Sequence, residues 1–319
     1  MAPQITKVFI DGQAGTTGLQ ISQRLVERDD IEVKQIDPTE RKDPNARARL
    51  FAESDVAILC LPDAAAIEAV ALADGQCRII DTSTAHRIHD AWCYGLPELD
   101  DAQRSMIADA QLVSNPGCYP QGFILMIRPL IEAGLLSSAL PLTMHAISGY
   151  SGGGRSLIEA REAFTGADVR RRNSEPYSLT LQHKHVPEMQ RYSGSAITPL
   201  FTPAVGHYYQ GMLVQVPLFT QSLENAATIN DLYEALASRY AGEPFISVLA
   251  PGAADVLEEG FLNPTACNDT NRVEIMLFGH AEQVLLVARY DNLGKGAAGA
   301  AVQNLNLMIG AQETTGLRQ

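Results

Sequence analysis

The sequence predicts an α/β protein in two parts: a doubly wound domain with a parallel sheet, then an α+β domain with a mainly antiparallel sheet. Three observations carry this. The first part of the chain alternates short apolar runs with helix-like stretches. One of those runs, residues 56–61 (VAILCL), is continuously apolar, the mark of a strand buried on both faces. After Cys118 the β-rich runs dominate and few helices lie between them. A chain of 319 residues has room for about two domains.

In chain order, residues 7–11 form the first β-run, followed by glycines and a helix over 18–28. Residues 31–36 give a second strand, and the polar segment 37–45 leads into a short helix. Residues 56–61 are the third strand, 63–73 an Ala-rich helix and 78–81 a fourth strand. This alternation indicates a parallel sheet with helices on both faces. A helix over 123–133 follows Cys118. Residues 142–147, 211–217, 272–279 and 283–290 then read as strands, with helices at 156–164 and 227–239. The Gly/Ala-rich stretch 294–309 reads as a last helix that packs close to other backbone. The expected division is 1–116 with 294–319 for the first domain and 117–293 for the second.

The net charge is −13, with no basic run and no basic–aromatic stripe, so nucleic acid is not an expected partner. No apolar run is long enough to span a membrane, and the N-terminus enters a strand without a signal-peptide layout. The five cysteines (60, 77, 93, 118, 267) are odd in number and scattered. They show neither a C-x-x-C pair nor metal-ligand spacing, which fits reduced thiols in a cytoplasm. In so acidic a chain an anionic substrate needs local positive charge, so single Arg and Lys residues within motifs carry information.

Gly12-Gln-Ala-Gly15-Thr16-Thr17-Gly18 follows the first strand and opens a helix. Glycines there let backbone approach a pyrophosphate whose charge sits at the helix N-terminus, the layout of a Rossmann-type dinucleotide-binding domain. The spacing is G-x-x-G-x-x-G, which a simple tight turn also satisfies; its place at the first strand–helix junction favours the dinucleotide. Asp37, at the end of the second strand, is either a ribose ligand or an Asp-Pro turn residue. Arg41 and Lys42 are either a 2′-phosphate clamp, favouring NADP over NAD, or a solvated surface run.

Residues 114–122 read Ser-Asn-Pro-Gly-Cys-Tyr-Pro-Gln-Gly. Pro116 and Gly117 put Cys118 in a sharp turn, and Pro120 suits the first turn of a helix. A thiol at a helix N-terminus meets unpaired N–H groups and the positive dipole end, which favour the nucleophilic thiolate. A buried structural cysteine is the competing reading. His183-Lys184-His185-Val-Pro-Glu188 gathers two imidazoles, an ammonium and a carboxylate. In an extended segment His183 and His185 point the same way, and either can move a proton while Glu188 fixes a tautomer. H-x-H is also half a metal site, but further ligands at suitable spacing are missing from the sequence, so no metal is expected.

Asp81-Thr-Ser83-Thr-Ala-His86-Arg87 follows a buried strand, and its hydroxyls and guanidinium suit an oxyanion; an ion-paired structural Arg is the alternative. Ser148-Gly149-Tyr150-Ser151-Gly152-Gly153-Gly154 is a connector or a close-approach ligand loop. Asn292, ahead of Gly294 and Lys295, is suited to a carboxamide such as nicotinamide's, or to a helix cap.

Taken together these segments resemble the N-acetyl-γ-glutamyl-phosphate reductases, in their shorter, type 2 branch. SNPGCYP and HKHVPE are the specific pieces; IDGQAGTTGLQI, LCLPD, DTSTAHR, YGLPEL, SGYSGGG, VGHYYQGM and DNLGKGAAGAAVQN extend the resemblance over nearly the whole chain. The family usually has Thr where this chain has Gln121, which alters local hydrogen bonding but leaves Cys118, Pro120 and Gly122 in place. The resemblance implies NADPH-dependent reduction of an acyl phosphate through a thioester on Cys118. It implies His185 as acid/base with His183 and Glu188 in support, and Arg87, with Ser83, on the phosphate. It extends substrate contacts to Asn115, Ser148, Gly149 and Lys184. The cofactor would meet Gly12, Gly15, Thr16, Thr17, Gly18, Asp37, Arg41, Lys42, Cys60, Pro62, Ser83, Asn292 and Gly294. A homo-oligomer, dimer or tetramer, is also implied. Aspartate-semialdehyde dehydrogenase and an inactive NADP(H)-sensing protein on the same fold are the other readings.

Overall fold

Six short strands build a fully parallel sheet whose successive residues feed opposite layers. A computed structural model describes residues 5–319 of the chain. The strands β1 (Thr6–Asp11), β2 (Ile31–Lys34), β3 (Val56–Leu59), β4 (Arg78–Asp81), β5 (Cys93–Tyr94) and β6 (Leu112–Ser114) lie in the order β2-β1-β3-β4-β6-β5. Every pairing is parallel. Val8 and Ile10 of β1 point into one core and Phe9 into the other; Ile58 and Leu59 of β3 divide the same way. This is the two-residue period of a strand covered on both sides.

The helices α1 (Thr16–Leu25), α4 (Gln103–Asp109) and α10 (Gly299–Met308) bury Ile21, Leu25, Ile107, Ala301, Val302 and Leu305 against the first face. The helices α2 (Pro44–Ala52) and α3 (Asp63–Ala73) bury Leu50, Phe51, Ala66 and Ala69 against the second. Asp43 caps α2 by accepting from the Asn45 N–H, with Pro44 at the first helical position. This unit runs to Pro116 and takes the chain back for Ala297–Leu317.

The second unit is Gly117–Gly296 with Arg318–Gln319. Its strands are β7 (Thr143–Gly149), β8 (Ser174–Pro176), β9 (Leu200–Gly206), β10 (Met212–Phe219), β11 (Ile246–Val248), β14 (Val273–Gly279) and β15 (Gln283–Tyr290). They form a seven-stranded sheet in the order β11-β14-β15-β10-β7-β9-β8; β12 (Leu257–Glu258) and β13 (Phe261–Leu262) make a small separate hairpin. The sheet is mixed: β7 pairs β9 and β11 pairs β14 in parallel, while the other pairings are antiparallel. The sheet is thus mainly antiparallel, as expected, with two parallel pairings within it.

The helices of this unit are α5 (Cys118–Glu132), α6 (Arg155–Glu162), α7 (Gly166–Arg171), α8 (Val186–Ser193) and α9 (Ile229–Arg239). Helix α5 is buried along nearly its whole length and packs against α8, α9, β10 and β15. It begins at Cys118, not at Phe123 as expected, because a proline in the first turn needs no N–H partner and Pro120 can be helical there. The last helix also differs from expectation. Gly294–Ala298 forms a single π-helical turn and the α-helix starts only at Gly299. The return to the first unit therefore falls within that turn, between Gly296 and Ala297, rather than at 294.

Candidate active site

Cys118 occupies the first position of α5, behind an N-cap glycine with extended backbone, Gly117. No side chain caps this helix end through its N-cap residue. Instead the Gly117 N–H donates to Glu188 Oε1 at 2.8 Å. Glu188 lies in the first turn of α8 and is buried. The carboxylate thus fixes the turn that presents the thiol. Cys118 is partly exposed. Burial pushes the other thiols up, Cys60 to about 12 and Cys77, Cys93 and Cys267 to about 11, so all four are protonated at neutral pH.

The histidines are brought together by a turn, not by an extended segment. His183 Nδ1 accepts the His185 N–H at 3.1 Å, and the two rings lie 4.7 Å apart. A ring nitrogen that accepts from a backbone N–H carries no proton, so neutral His183 holds its proton on Nε2. His185 is buried, at the N-cap of α8; His183 is half-buried and Lys184 is exposed. Tyr119, the residue after Cys118, meets both rings, at 5.9 Å from His183 and 6.0 Å from His185. Tyr177 packs on His183 and its hydroxyl is 3.2 Å from that of Tyr119. Sequence reasoning missed Tyr177, since a lone tyrosine in a loop has no pattern to mark it. Among the described residues no group of three or more His, Cys, Asp or Glu side chains is placed to hold a metal ion.

The loop after β7 is shaped by close backbone approach. A Cβ at Gly149 would lie 2.4 Å from the Tyr209 carbonyl oxygen. Ser148 Oγ donates to the Gly149 carbonyl. Asn292 accepts the Gly211 N–H at 2.8 Å and donates to Ser151 Oγ at 3.0 Å. Its amide therefore clamps this loop within the second unit. Gly294 is a glycine because a Cβ there would sit 2.2 Å from the Thr270 carbonyl oxygen. Gly296 lies directly against Cys118: a Cβ on the glycine would be 3.1 Å from that of the cysteine.

In the first unit, Gly12 adopts φ +90° and a Cβ there would lie 2.3 Å from the Cys60 carbonyl oxygen. Gly15, the N-cap of α1, and Gly18 close the turn, with Gly18 packed on the Gly12 carbonyl. No side chain caps α1, and Thr16 and Thr17 open it. An uncapped helix end over a glycine turn has the donors a pyrophosphate requires, so these residues fit a dinucleotide. Asp11, just before the turn, is buried and pairs with Arg47 of α2 at 2.6 Å. Burial raises the Asp11 carboxyl even against that guanidinium. Breaking a buried pair of this kind costs about 3–5 kcal/mol. Arg47 was not among the expected site residues, because nothing in sequence links it to Asp11.

Asp37 is exposed and accepts from the Thr39 N–H and hydroxyl, as a turn residue does. Arg41, Lys42 and Pro62 are exposed, and Pro62 is the N-cap of α3. Ser83 donates from both N–H and Oγ to Asp81, which also accepts from His86 Nδ1 at 2.7 Å. The His86 ring stacks on Trp92 at 4.2 Å. Arg87 is buried and donates to the carbonyls of Thr82 and Asn115. The Asn115 amide donates to the Ala297 carbonyl and accepts from Asn304. Ser83, Arg87 and Asn115 therefore all brace main chain at the carboxyl ends of the strands.

Two family descriptions match the chain: "semialdehyde dehydrogenase, NAD binding domain" over residues 7–107 and "semialdehyde dehydrogenase, dimerisation domain" over residues 118–292. An N-acetyl-γ-glutamyl-phosphate reductase 2 of a Nostoc species is 52% identical over 318 residues, covering 98% of this chain and 99% of its own. An N-acetyl-γ-glutamyl-phosphate reductase of Brucella ovis is 48% identical over 308 residues, covering 95% and 99%. Among solved structures, the aspartate semialdehyde dehydrogenase II of Vibrio cholerae superposes with a TM-score of 0.73 at 17% identity, over 96% of this chain and 98% of that one. The enzyme of Candida albicans with NADP gives 0.67 at 15% identity, over 96% and 98%.

The spread of thiol environments predicts selective alkylation. Iodoacetamide at about pH 8, below the values of the other four thiols, is expected to label Cys118 first. Peptide mass spectrometry checks this, and early labelling of Cys60 or Cys267 would contradict the site.

Proposed function

Because the chain belongs to the N-acetyl-γ-glutamyl-phosphate reductase family, we propose that it reduces N-acetyl-γ-glutamyl phosphate to N-acetylglutamate 5-semialdehyde with NADPH, as a step of arginine biosynthesis in the cytoplasm. The observation that carries this reading is the placing of Cys118. It is one of three partly exposed thiols, and it stands at the first position of a helix, beside a turn fixed by Glu188. Its thiolate attacks the acyl carbon, a C–S bond forms and the C–O bond to phosphate breaks, releasing phosphate with its electron pair. NADPH, when bound, supplies the hydride that reduces the resulting thioester. The tetrahedral oxygen then re-forms a carbonyl, the C–S bond breaks and the thiolate of Cys118 is regenerated with release of the aldehyde.

His185 is the proposed proton carrier for that oxygen. His183, with Nδ1 occupied by the His185 N–H, is the proposed support. Arg87 supplies positive charge for the phosphate, its guanidinium plane set by two carbonyls. The glycine turn Gly12–Gly18 holds the dinucleotide. Asp37 is engaged in its own turn, which leaves Arg41 and Lys42 as the charged groups for a 2′-phosphate. The chain self-associates through its second unit, where Phe219 and Phe261 stand exposed.

Activity in the reverse direction tests the whole reading. With N-acetylglutamate 5-semialdehyde, phosphate and NADP, absorbance of the NADPH formed should rise, and Cys118→Ser should abolish nearly all of it while retaining NADPH binding. Turnover of aspartate semialdehyde instead would change the substrate assignment.

His185→Asn should lower kcat by about 10²–10⁴-fold and flatten the acidic limb of the pH–rate profile. His183→Asn should do less; the reverse ranking would exchange their roles.

Replacing Arg41 and Lys42 together by Ala should erode a preference for NADP, measured as the ratio of kcat/KM with NADP to that with NAD. A wild-type enzyme that prefers NAD would refute this assignment.

A further inference from the structure

Tyr290 ends β15 and is wholly buried. Its hydroxyl enters the first turn of α5. There it donates to the Cys118 carbonyl at 2.6 Å and accepts from the Gly122 N–H at 3.0 Å. Those two groups are the i and i+4 partners whose direct bond closes the first turn of a helix. The hydroxyl thus engages both groups of the ladder at the residue that bears the thiol. The bond beside it, from the Gln121 N–H to the Gly117 carbonyl, is long at 3.4 Å. Gly122 is what admits the ring, since a Cβ there would lie 2.7 Å from Tyr290 Oη and 2.9 Å from Cε1.

The arrangement is not required for hydrogen bonding. A carbonyl and an N–H four residues apart satisfy each other in an ordinary helix, and burying a third polar group between them has a cost. Burial, and then the neighbouring Cys118 sulfur, push the phenol well above the usual tyrosine range, so it stays a donor. The turn is also held elsewhere: Gln121 Nε2 donates to the Lys295 carbonyl at 2.8 Å, in the π-helical turn whose Gly296 touches Cys118.

We propose that Tyr290 is a positioning residue for Cys118, its hydroxyl bonding the Cys118 carbonyl and the Gly122 N–H and so setting where the thiol is presented. This deepens the reading of Cys118 as nucleophile and rests on it.

Tyr290→Phe keeps the ring and removes the hydroxyl, and the freed carbonyl and N–H can then bond directly, so the melting temperature should stay near that of the wild type. The kcat should fall by about tenfold to a hundredfold, the scale of a small misplacement of a reacting group. KM for the acyl phosphate should stay within about threefold. The rate of Cys118 alkylation and its pH dependence, followed on the Cys118 peptide by mass spectrometry, should change with kcat. A folded Tyr290→Phe enzyme with wild-type alkylation of Cys118 overturns the proposal, whatever its kcat. Should that variant fail to fold, Gly122→Ala decides: it keeps the phenol but drives it from the cleft, and wild-type Cys118 alkylation there also overturns the proposal. Alkylation reports thiol placement whether or not Cys118 is the nucleophile, so failure of that reading is seen separately, as turnover retained in Cys118→Ser.

Discussion

A buried helix end must find partners for backbone groups that the helix itself leaves over, and at α5 this requirement organises the second unit. Glu188 answers it by accepting the Gly117 N–H. That single contact joins the N-terminus of α8 to the N-terminus of α5. His185, three residues before Glu188, is carried by the same contact to the neighbourhood of Tyr119, and His183 follows through its bond to the His185 N–H. Thiol, imidazoles and carboxylate therefore share one mechanical base, although the chain separates them by more than sixty residues.

The same economy recurs at the other polar residues of the motifs. Ser83, Arg87, Asn115 and Asn292 have the chemistry of ligand contacts, yet in this structure each binds main chain or a neighbouring side chain. A group that must meet a small anion or a flat ring reproducibly has to be held in place, and backbone carbonyls are the available anchors. Polar residues next to such a site are therefore framework as well as chemistry, and residue type alone does not separate the two.

What the sequence disclosed, and what it did not, follows from range. Helix α3, strand β4 and strand β15 were legible to the residue because their signals are local: a Pro-Asp start and an alanine run, a short apolar run before Asp81, an alternation ending at Tyr290. The glycine turn and the cysteine turn were legible because turn chemistry is local too. Helix α5 was placed five residues late, since nothing nearby tells whether Pro120 sits inside or ahead of a first turn. The Arg47–Asp11 pair and the Tyr290 hydroxyl in α5 were not legible at all, because each depends on residues 36 to 172 positions apart.

The stack of Trp92 on His86 has an optical consequence. The chain contains one tryptophan, so the whole of its indole emission comes from this point. The imidazole beneath it is tied to Asp81 at the carboxyl end of β4, in the loop that holds Ser83 and Arg87. The emission of an indole lying flat on an imidazole depends on the distance between the two rings. Intrinsic fluorescence is thus a built-in gauge of this one loop, free of background from elsewhere in the molecule, and needs no introduced label.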